Sequence, residues 1–208
     1  MNHIEILDLG INNLKSLASA LQGLNRCTVS IIDRATKSSN PSLLVIPGVG
    51  SFGTAVDRLN SRGFTELING YNAESRSIFG ICLGMQLLAY SSSESESIPG
   101  LGLIPGEVKL LPTSEATRVP SVGWQDVNIS ETGQKYFSEF SGQDFYFTHS
   151  YYFAPEYAEL SFITASHGEM EFSAGVIKEN VIGVQFHPEK SSTSGTKFLS
   201  RVLDWAHA

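Results

Sequence analysis

Apolar residues Ile4, Ile6, Leu7 and Leu9 crowd together and stop at Gly10, the pattern of a short buried strand. Leu14, Leu17, Ala18, Leu21 and Leu24 then recur at spacings of three and four, one face of a helix that Asn12 or Asn13 would cap. Val29, Ile31 and Ile32 predict a second strand. Residues 43–46 predict a third, halted by Pro47-Gly48, and residues 77–81 a fourth that runs directly into a helix over 83–90. Strands alternating with helices over the first ninety residues predict an α/β fold with a parallel sheet.

The pattern then changes. Residues 91–97 read Ser-Ser-Ser-Glu-Ser-Glu-Ser, of low complexity but short, which predicts a loop within a domain rather than a linker between two. From Gly106 to about Val184, candidate strands at 108–111, 125–129, 145–147, 160–165 and 172–177 are separated by Gly, Pro and Asn and show little helical period. This half should extend the sheet with antiparallel or mixed strands. A strand over 181–186 and a helix over about 193–205, with Phe198, Leu199, Val202 and Trp205 on one face, complete the pattern. There is no internal repeat, and residues 1–208 are expected to form one domain of α/β class, an open mixed, mainly parallel sheet flanked by helices.

Composition narrows the function. Of 208 residues, 41% are hydrophobic and 17% charged, enough apolar surface for a substantial core. The net charge is -7, and the 14 Lys and Arg are scattered, which argues against nucleic acid or an anionic membrane as partner. No apolar run approaches the roughly 18 residues of a membrane span, and the first residues have no basic stretch leading into an apolar one. A cytoplasmic, reducing location is expected. The two cysteines, Cys27 and Cys82, are then thiols. Cys27, at the start of a predicted strand, reads as a small buried hydrophobe. The five histidines are dispersed without ligand spacing, so no metal is expected.

The sharpest local feature is Gly80-Ile81-Cys82-Leu83-Gly84, between a predicted strand and a predicted helix. It has the G-x-nucleophile-x-G form of a nucleophile elbow, where small neighbours let a side chain stand clear of a tight strand-to-helix turn. The helix start would favour a thiolate and offer N–H groups to an oxyanion. Read alone, the same residues also describe a buried cysteine with glycines that permit close packing. Phe186-His187-Pro188-Glu189 follows the last predicted strand, at the carboxyl edge where α/β sheets hold ligands. A cysteine nucleophile needs a base, and the base needs a group to hold its tautomer; His187 and Glu189 supply both. Pro47-Gly48-Val49-Gly50-Ser51-Phe52-Gly53, also at a strand end, lacks the lysine and spacing of a phosphate loop. It suits a peptide that aims an N–H at an oxyanion, though a plain turn would read the same locally.

Taken together these stretches resemble the class I (triad) glutamine amidotransferases. Within them the chain is most similar to the glutaminase subunits of imidazole glycerol phosphate synthase. Matching pieces run nearly end to end: Asp8-Leu9-Gly10 with Asn13-Leu14, residues 47–53, GICLGMQLL over 80–88, GLGLIPG over 100–106, Val119-Pro120 with Gly123-Trp124, His149-Ser150-Tyr151, and GVQFHPEK over 183–190. The resemblance implies the flavodoxin-like fold of that family and a glutaminase with a Cys-His-Glu triad. Cys82 would attack the side-chain amide of glutamine, His187 would shuttle protons and Glu189 would orient His187. The N–H of Leu83 and a peptide near Val49 would form the oxyanion hole. Gly50, Gln86, Glu94, His149, Ser150 and Tyr151 fall at positions that hold glutamine, with Glu96 an alternative register for Glu94. No organic cofactor is implied.

The resemblance further implies a separate synthase chain, a cyclase, docked over the site in a heterodimer, with Trp124 and Lys190 at the interface. Read without it, Trp124 is a core residue and Lys190 a solvated one. Two segments depart from the family pattern. Asp8-Leu9-Gly10-Ile11-Asn12-Asn13 stands where Asp-Tyr-Gly-x-Gly-Asn is usual, and Pro120-Ser121-Val122-Gly123-Trp124-Gln125 where Pro-His-x-Gly-Trp-Asn is usual. Both fit a histidine-pathway glutaminase from a distant lineage. They also fit a paralogue that feeds ammonia to a sugar amidotransferase of surface-polysaccharide synthesis, but the histidine-pathway reading is favoured. A stand-alone γ-glutamyl hydrolase and a non-catalytic module on the same fold are the remaining alternatives. Activity without a partner would mark the first, and the intact triad argues against the second.

Overall fold

The computed structural model describes residues 2–10, 14–114 and 117–207, so the predicted cap at Asn12 or Asn13 lies outside the described residues. In chain order the elements are β1 (Asn2–Leu7), α1 (Leu14–Gly23), β2 (Cys27–Ile32), β3 (Leu43–Gly48), α2 (Phe52–Ser61), α3 (Phe64–Ala73), β4 (Ser77–Cys82) and α4 (Leu83–Gln86). The second half holds β5 (Ser91–Ser92), β6 (Gly106–Leu110), β7 (Ser121–Ile129), α5 (Gln134–Phe137), β8 (Gln143–His149), β9 (Tyr151–Pro155), β10 (Ser161–His167), β11 (Met170–Lys178), β12 (Val181–Val184) and α6 (Ser192–Trp205).

Among the described residues the strands form one mixed sheet in the order β2-β1-β3-β4-β12-β11-β10-β7-β8, with β9 joining β11 to β6 and β6 pairing with β5. The run β2-β1-β3-β4-β12 is parallel throughout. From β12 onward the path continues antiparallel through β11, β10, β7 and β8. The α/β class and the open mixed sheet flanked by helices are thus as the sequence predicts, with the parallel strands gathered in one half of the sheet and the antiparallel strands in the other.

Strand side chains alternate between the two faces, and in the central parallel strands both faces are covered, so β3 and β12 are buried at every position. Ile4, Ile6, Leu43, Val45, Phe79 and Ile81 pack with α1 and α6. Leu7, Leu44, Ile46 and Ile78 pack with α2 and α3. Behind the end of β12 lies an aromatic cluster in which Phe186 meets Phe145 at 4.2 Å and Phe198 at 5.1 Å between ring centroids. That cluster fixes the backbone immediately before His187.

Several expectations are corrected. Helices α2 and α3 had no counterpart in the pattern reading, although Phe52, Ala55, Val56 and Leu59 are buried at helical spacing. The helix expected over 83–90 ends at Gln86. Its α-helical bonding stops there: the N–H groups of Leu88 and Ala89 reach back only three residues, to Met85 and Gln86, and that of Tyr90 goes to the Gly106 carbonyl of β6. Tyr151–Pro155, which lies outside the candidate strands read from the pattern, forms β9 against β6. The 91–97 stretch is a loop that contributes the two-residue strand β5. Leu9 lies beyond β1 but is fully buried. Cys27 opens β2 and is buried, as expected.

Candidate active site

Parallel pairing aligns strand ends, and here it brings three sequence-distant loops together. Gly48 of β3 pairs with Cys82 of β4, while Gly80 and Ile81 pair with Gly183 and Val184 of β12. Residues 47–53, Cys82 and His187 therefore meet at one carboxyl edge. Cys82 has φ 54° and ψ -110°, a conformation that L side chains rarely adopt and that costs of order 1–3 kcal/mol. The flanking glycines are explained by contact. A Cβ on Gly84 would collide with the Ile46 carbonyl, and one on Gly80 would lie 2.7 Å from the Gly84 carbonyl oxygen. The strained turn is held because β3 and the start of α4 approach each other backbone to backbone.

His187 is 3% exposed, and its Nδ1 is 2.9 Å from Oε1 of Glu189, whose side chain is 9% exposed. The backbone that carries the ring is held as well: the main-chain N–H of His187 donates to the Tyr146 carbonyl, and its main-chain carbonyl accepts the Ser191 hydroxyl at 2.6 Å. Burial pushes the imidazole pKa down, but hydrogen bonding and charge from Cys82 and Glu189 outweigh it and hold the group up at about 9. Among the described residues Nε2 has no partner within hydrogen-bond distance. The thiol thus acts on the ring as a neighbour without closing a short bond to it. A buried base with one nitrogen fixed by a carboxylate and the other facing a thiol can take a proton from sulfur and return it to a leaving group.

A cleft of about 310 Å³ opens beside Cys82. It is lined by nine residues singled out from the sequence: Val49, Gly50, Cys82, Leu83, Gln86, Glu94, His149, Ser150 and Tyr151. Pro120 and Thr148 complete the lining without having been expected. Glu94, not the exposed Glu96, faces the cleft, and its Oε2 accepts the Phe52 N–H at 2.8 Å at the start of α2. His149 is 6% exposed; its Nδ1–H donates to the Tyr151 carbonyl at 2.8 Å, leaving Nε2 a bare acceptor with no partner among the described residues. Burial foremost, and then the charges of His167 and His187, push its pKa down to about 4 against the raising effect of the Tyr151 bond. It is a neutral ring.

Gln86 is 5% exposed, and its amide nitrogen serves the Tyr151 carbonyl at 2.8 Å and Oε1 of Gln185 at 3.0 Å. Gln185, fully buried, places its own amide nitrogen 3.6 Å from Cys82 Sγ. Sequence reading passed over Gln185. The signal was a polar residue at the fully buried position between Val184 and Phe186.

Trp124 is not a core residue: it is 53% exposed and packs edge-on against Tyr146 at 6.1 Å. Lys190 is exposed and lies 5.8 Å above the same Tyr146 ring. It also borders a narrow crevice with Val49 and His187. Trp124 and Lys190 are therefore parts of one surface next to the cleft. Among the described residues no group of His, Cys, Asp and Glu could hold a metal ion, and no helix is long and apolar enough to cross a membrane.

Comparison with known proteins agrees with this geometry. The glutamine amidotransferase class-I family model matches residues 5–204. The imidazole glycerol phosphate synthase subunit HisH of Pyrococcus furiosus is 40% identical over 199 residues, covering 96% of this chain and 97% of that protein. The protein of the same name from Chlorobaculum tepidum is 37% identical over 200 residues, covering 96% and 98%. The solved structure of PurLQS from Thermotoga maritima superposes with a TM-score of 0.76 at 19% identity, covering 99% of both chains, a likeness of fold alone. With the family model spanning nearly all its residues and relatives this similar along their whole length, the chain belongs to the class-I glutamine amidotransferase family and is an enzyme of that kind.

Proposed function

We propose that this chain is the glutaminase subunit of imidazole glycerol phosphate synthase, acting as one domain over residues 1–208. It hydrolyses glutamine and passes the ammonia to a cyclase carried on a separate chain, in histidine biosynthesis. The observation that carries the chemistry is the cleft in which Cys82 meets the residues matched to glutamine binding, with the His187–Glu189 pair bordering the adjoining crevice and feeling the Cys82 thiol. The named relatives, alike over almost their full lengths, support the pathway.

In this reading His187 takes the proton of the Cys82 thiol, and Sγ bonds to the amide carbon of the glutamine side chain. The N–H groups of Leu83 and the Val49–Gly50 peptide receive the oxyanion. The carbon–nitrogen bond then breaks as His187 returns the proton, and ammonia leaves a γ-glutamyl thioester. Water, deprotonated by His187, attacks the thioester, and glutamate departs as the Cys82 thiol is restored. Glu189 holds the ring with Nδ1 protonated throughout. Glu94 faces the substrate ammonium, and the 149–151 segment the carboxylate end. The cyclase covers the cleft from the Trp124–Lys190 side, so that ammonia reaches its acceptor before water protonates it.

The test is glutamate release from glutamine by this chain, alone and with its organism's cyclase subunit and the ribonucleotide substrate, with Cys82→Ala as control. Strong stimulation that the variant lacks is expected. No stimulation by an active cyclase would redirect the chain to a sugar-modifying partner, and high activity alone would make it a stand-alone hydrolase.

A further inference from the structure

Gln185 is fully buried one residue past β12, with each end of its amide engaged. The direction of that amide follows from its neighbours. The Tyr151 carbonyl can only accept, so Gln86 must turn its NH2 toward it, at 2.8 Å. The second hydrogen of that NH2 then points to Gln185, 3.0 Å away, which must answer with its carbonyl oxygen. Only the NH2 of Gln185 is left to face Cys82 Sγ, at 3.6 Å. Reversing it would set NH2 against NH2 between two buried amides and turn the carbonyl oxygen toward a sulfur that must carry negative charge.

We propose that Gln185 is a further catalytic residue, whose amide N–H donates to the Cys82 sulfur and stabilises it as the thiolate, with Gln86 locking the donor's orientation. This rests on the reading of Cys82 as the nucleophile. The amide cannot surrender its proton, so it does not compete with His187 for the role of acid and base. In the resting thiol, S–H faces the Thr148 carbonyl at 3.9 Å, a long contact. Once the proton has gone to His187, the sulfur carries charge and the N–H···S bond becomes charge-assisted in a site of low dielectric. A thioester sulfur is a poor acceptor, so the bond is strong when the thiolate attacks and again when it leaves. The relay also ties the nucleophile to the Tyr151 backbone in the substrate wall.

The test uses the full chain in a Cys27→Ala background, so that Cys82 is the thiol that reports. The rate of alkylation by iodoacetamide is followed against pH in wild type, Gln185→Met and Gln185→Leu, alongside glutamine hydrolysis. Loss of the donor is expected to move the alkylation midpoint up by about one pH unit, a roughly tenfold slower reaction below it. kcat should fall with KM nearly kept. Gln185→Glu, which sets a carboxylate against the sulfur, should move the midpoint further than Gln185→Met. Gln185→Met preserves length and volume, so it remains decisive if Gln185→Leu fails to fold. A folded Gln185→Met with an unchanged midpoint overturns the inference. If Cys82→Ala is inactive while that midpoint stays put, only Gln185 loses its role; if Cys82→Ala hydrolyses glutamine, the nucleophile assignment falls first.

Discussion

One oxygen of Glu94 accepts the main-chain N–H of Phe52 at 2.8 Å, tying the loop after α4 to the first turn of α2. Ser51, the residue before that helix, makes no capping bond of its own to the helix backbone, so Glu94 caps α2 from forty-two residues away. The same carboxylate lines the cleft. Glu94→Ala should therefore lose about 1 kcal/mol of stability, the usual worth of a cap, and raise KM for glutamine. Glu94→Gln keeps an acceptor for Phe52 and should regain the stability without the KM. Glu96→Ala should change neither. Urea denaturation and steady-state kinetics on the three variants check this.

Cys82→Ala should abolish glutamine hydrolysis while leaving the fold intact. Because position 82 sits at φ 54°, Cys82→Gly should be more stable than Cys82→Ala by of order 1 kcal/mol, as glycine relieves the strain. Equal unfolding midpoints for the two variants would show that the turn stores no strain.

Glu189→Gln should lower the His187 pKa from its raised value near 9 and slow glutamine hydrolysis by about a hundredfold or more. The folded pKa lies above the ordinary 6.5. The stability it confers is therefore complete below pH 6.5 and drains away as pH rises through 9. In Glu189→Gln that alkaline loss should shrink. The His187 ring proton shift against pH and unfolding curves at pH 6 and 9.5 measure both effects.

His149 contributes with the opposite sign. Its folded pKa is pushed down to about 4, so below pH 6.5 the unfolded chain takes a proton that the folded ring refuses. Stability should fall between pH 6.5 and 4, by up to about 3 kcal/mol from this group. His149→Gln should be less acid-sensitive than wild type over that interval in urea denaturation.

Trp124→Ala should change the unfolding free energy by no more than about 0.5 kcal/mol, as expected for a half-exposed surface residue. It should nevertheless weaken binding of the cyclase by about 2 kcal/mol or more if Trp124 anchors that interface. Lys190→Ala should lower cyclase-stimulated glutaminase more than stability. Calorimetric titration separates the two effects, and unchanged affinity in Trp124→Ala would remove it from the interface.

The parts of this molecule legible in its sequence are those fixed by local chemistry. The apolar runs at 43–46 and 77–81 could only be buried strands, and glycines at 80 and 84 announced a turn with no room for side chains. What escaped depended on distant partners. The helix expected over 83–90 was cut short because the Tyr90 N–H bonds the distant Gly106 carbonyl of β6 and those of Leu88 and Ala89 reach back only three residues. Trp124 would be core if read without the resemblance, but its strand β7 lies near the antiparallel end of the sheet and leaves that face open. Gln185 went unremarked because its partners, Cys82 and Gln86, are about a hundred residues earlier. The choice between Glu94 and Glu96 turned on which carboxylate meets the Phe52 amide, a contact that the serine-rich spacing does not encode.

The placement of β12 between β4 and β11 has a consequence for synthesis in the cell. A ribosome makes the nucleophile-bearing strand early, yet the strand that must lie beside it comes almost a hundred residues later. Until residues 181–190 emerge, the middle of the sheet is an unfilled slot, and the growing chain has neither His187, Glu189 nor Gln185. On the proposed mechanism a half-made or truncated polypeptide would have no base to serve Cys82 and would leave glutamine untouched. The order of translation would then hold the chain silent until the strand that leads into His187 has joined the sheet.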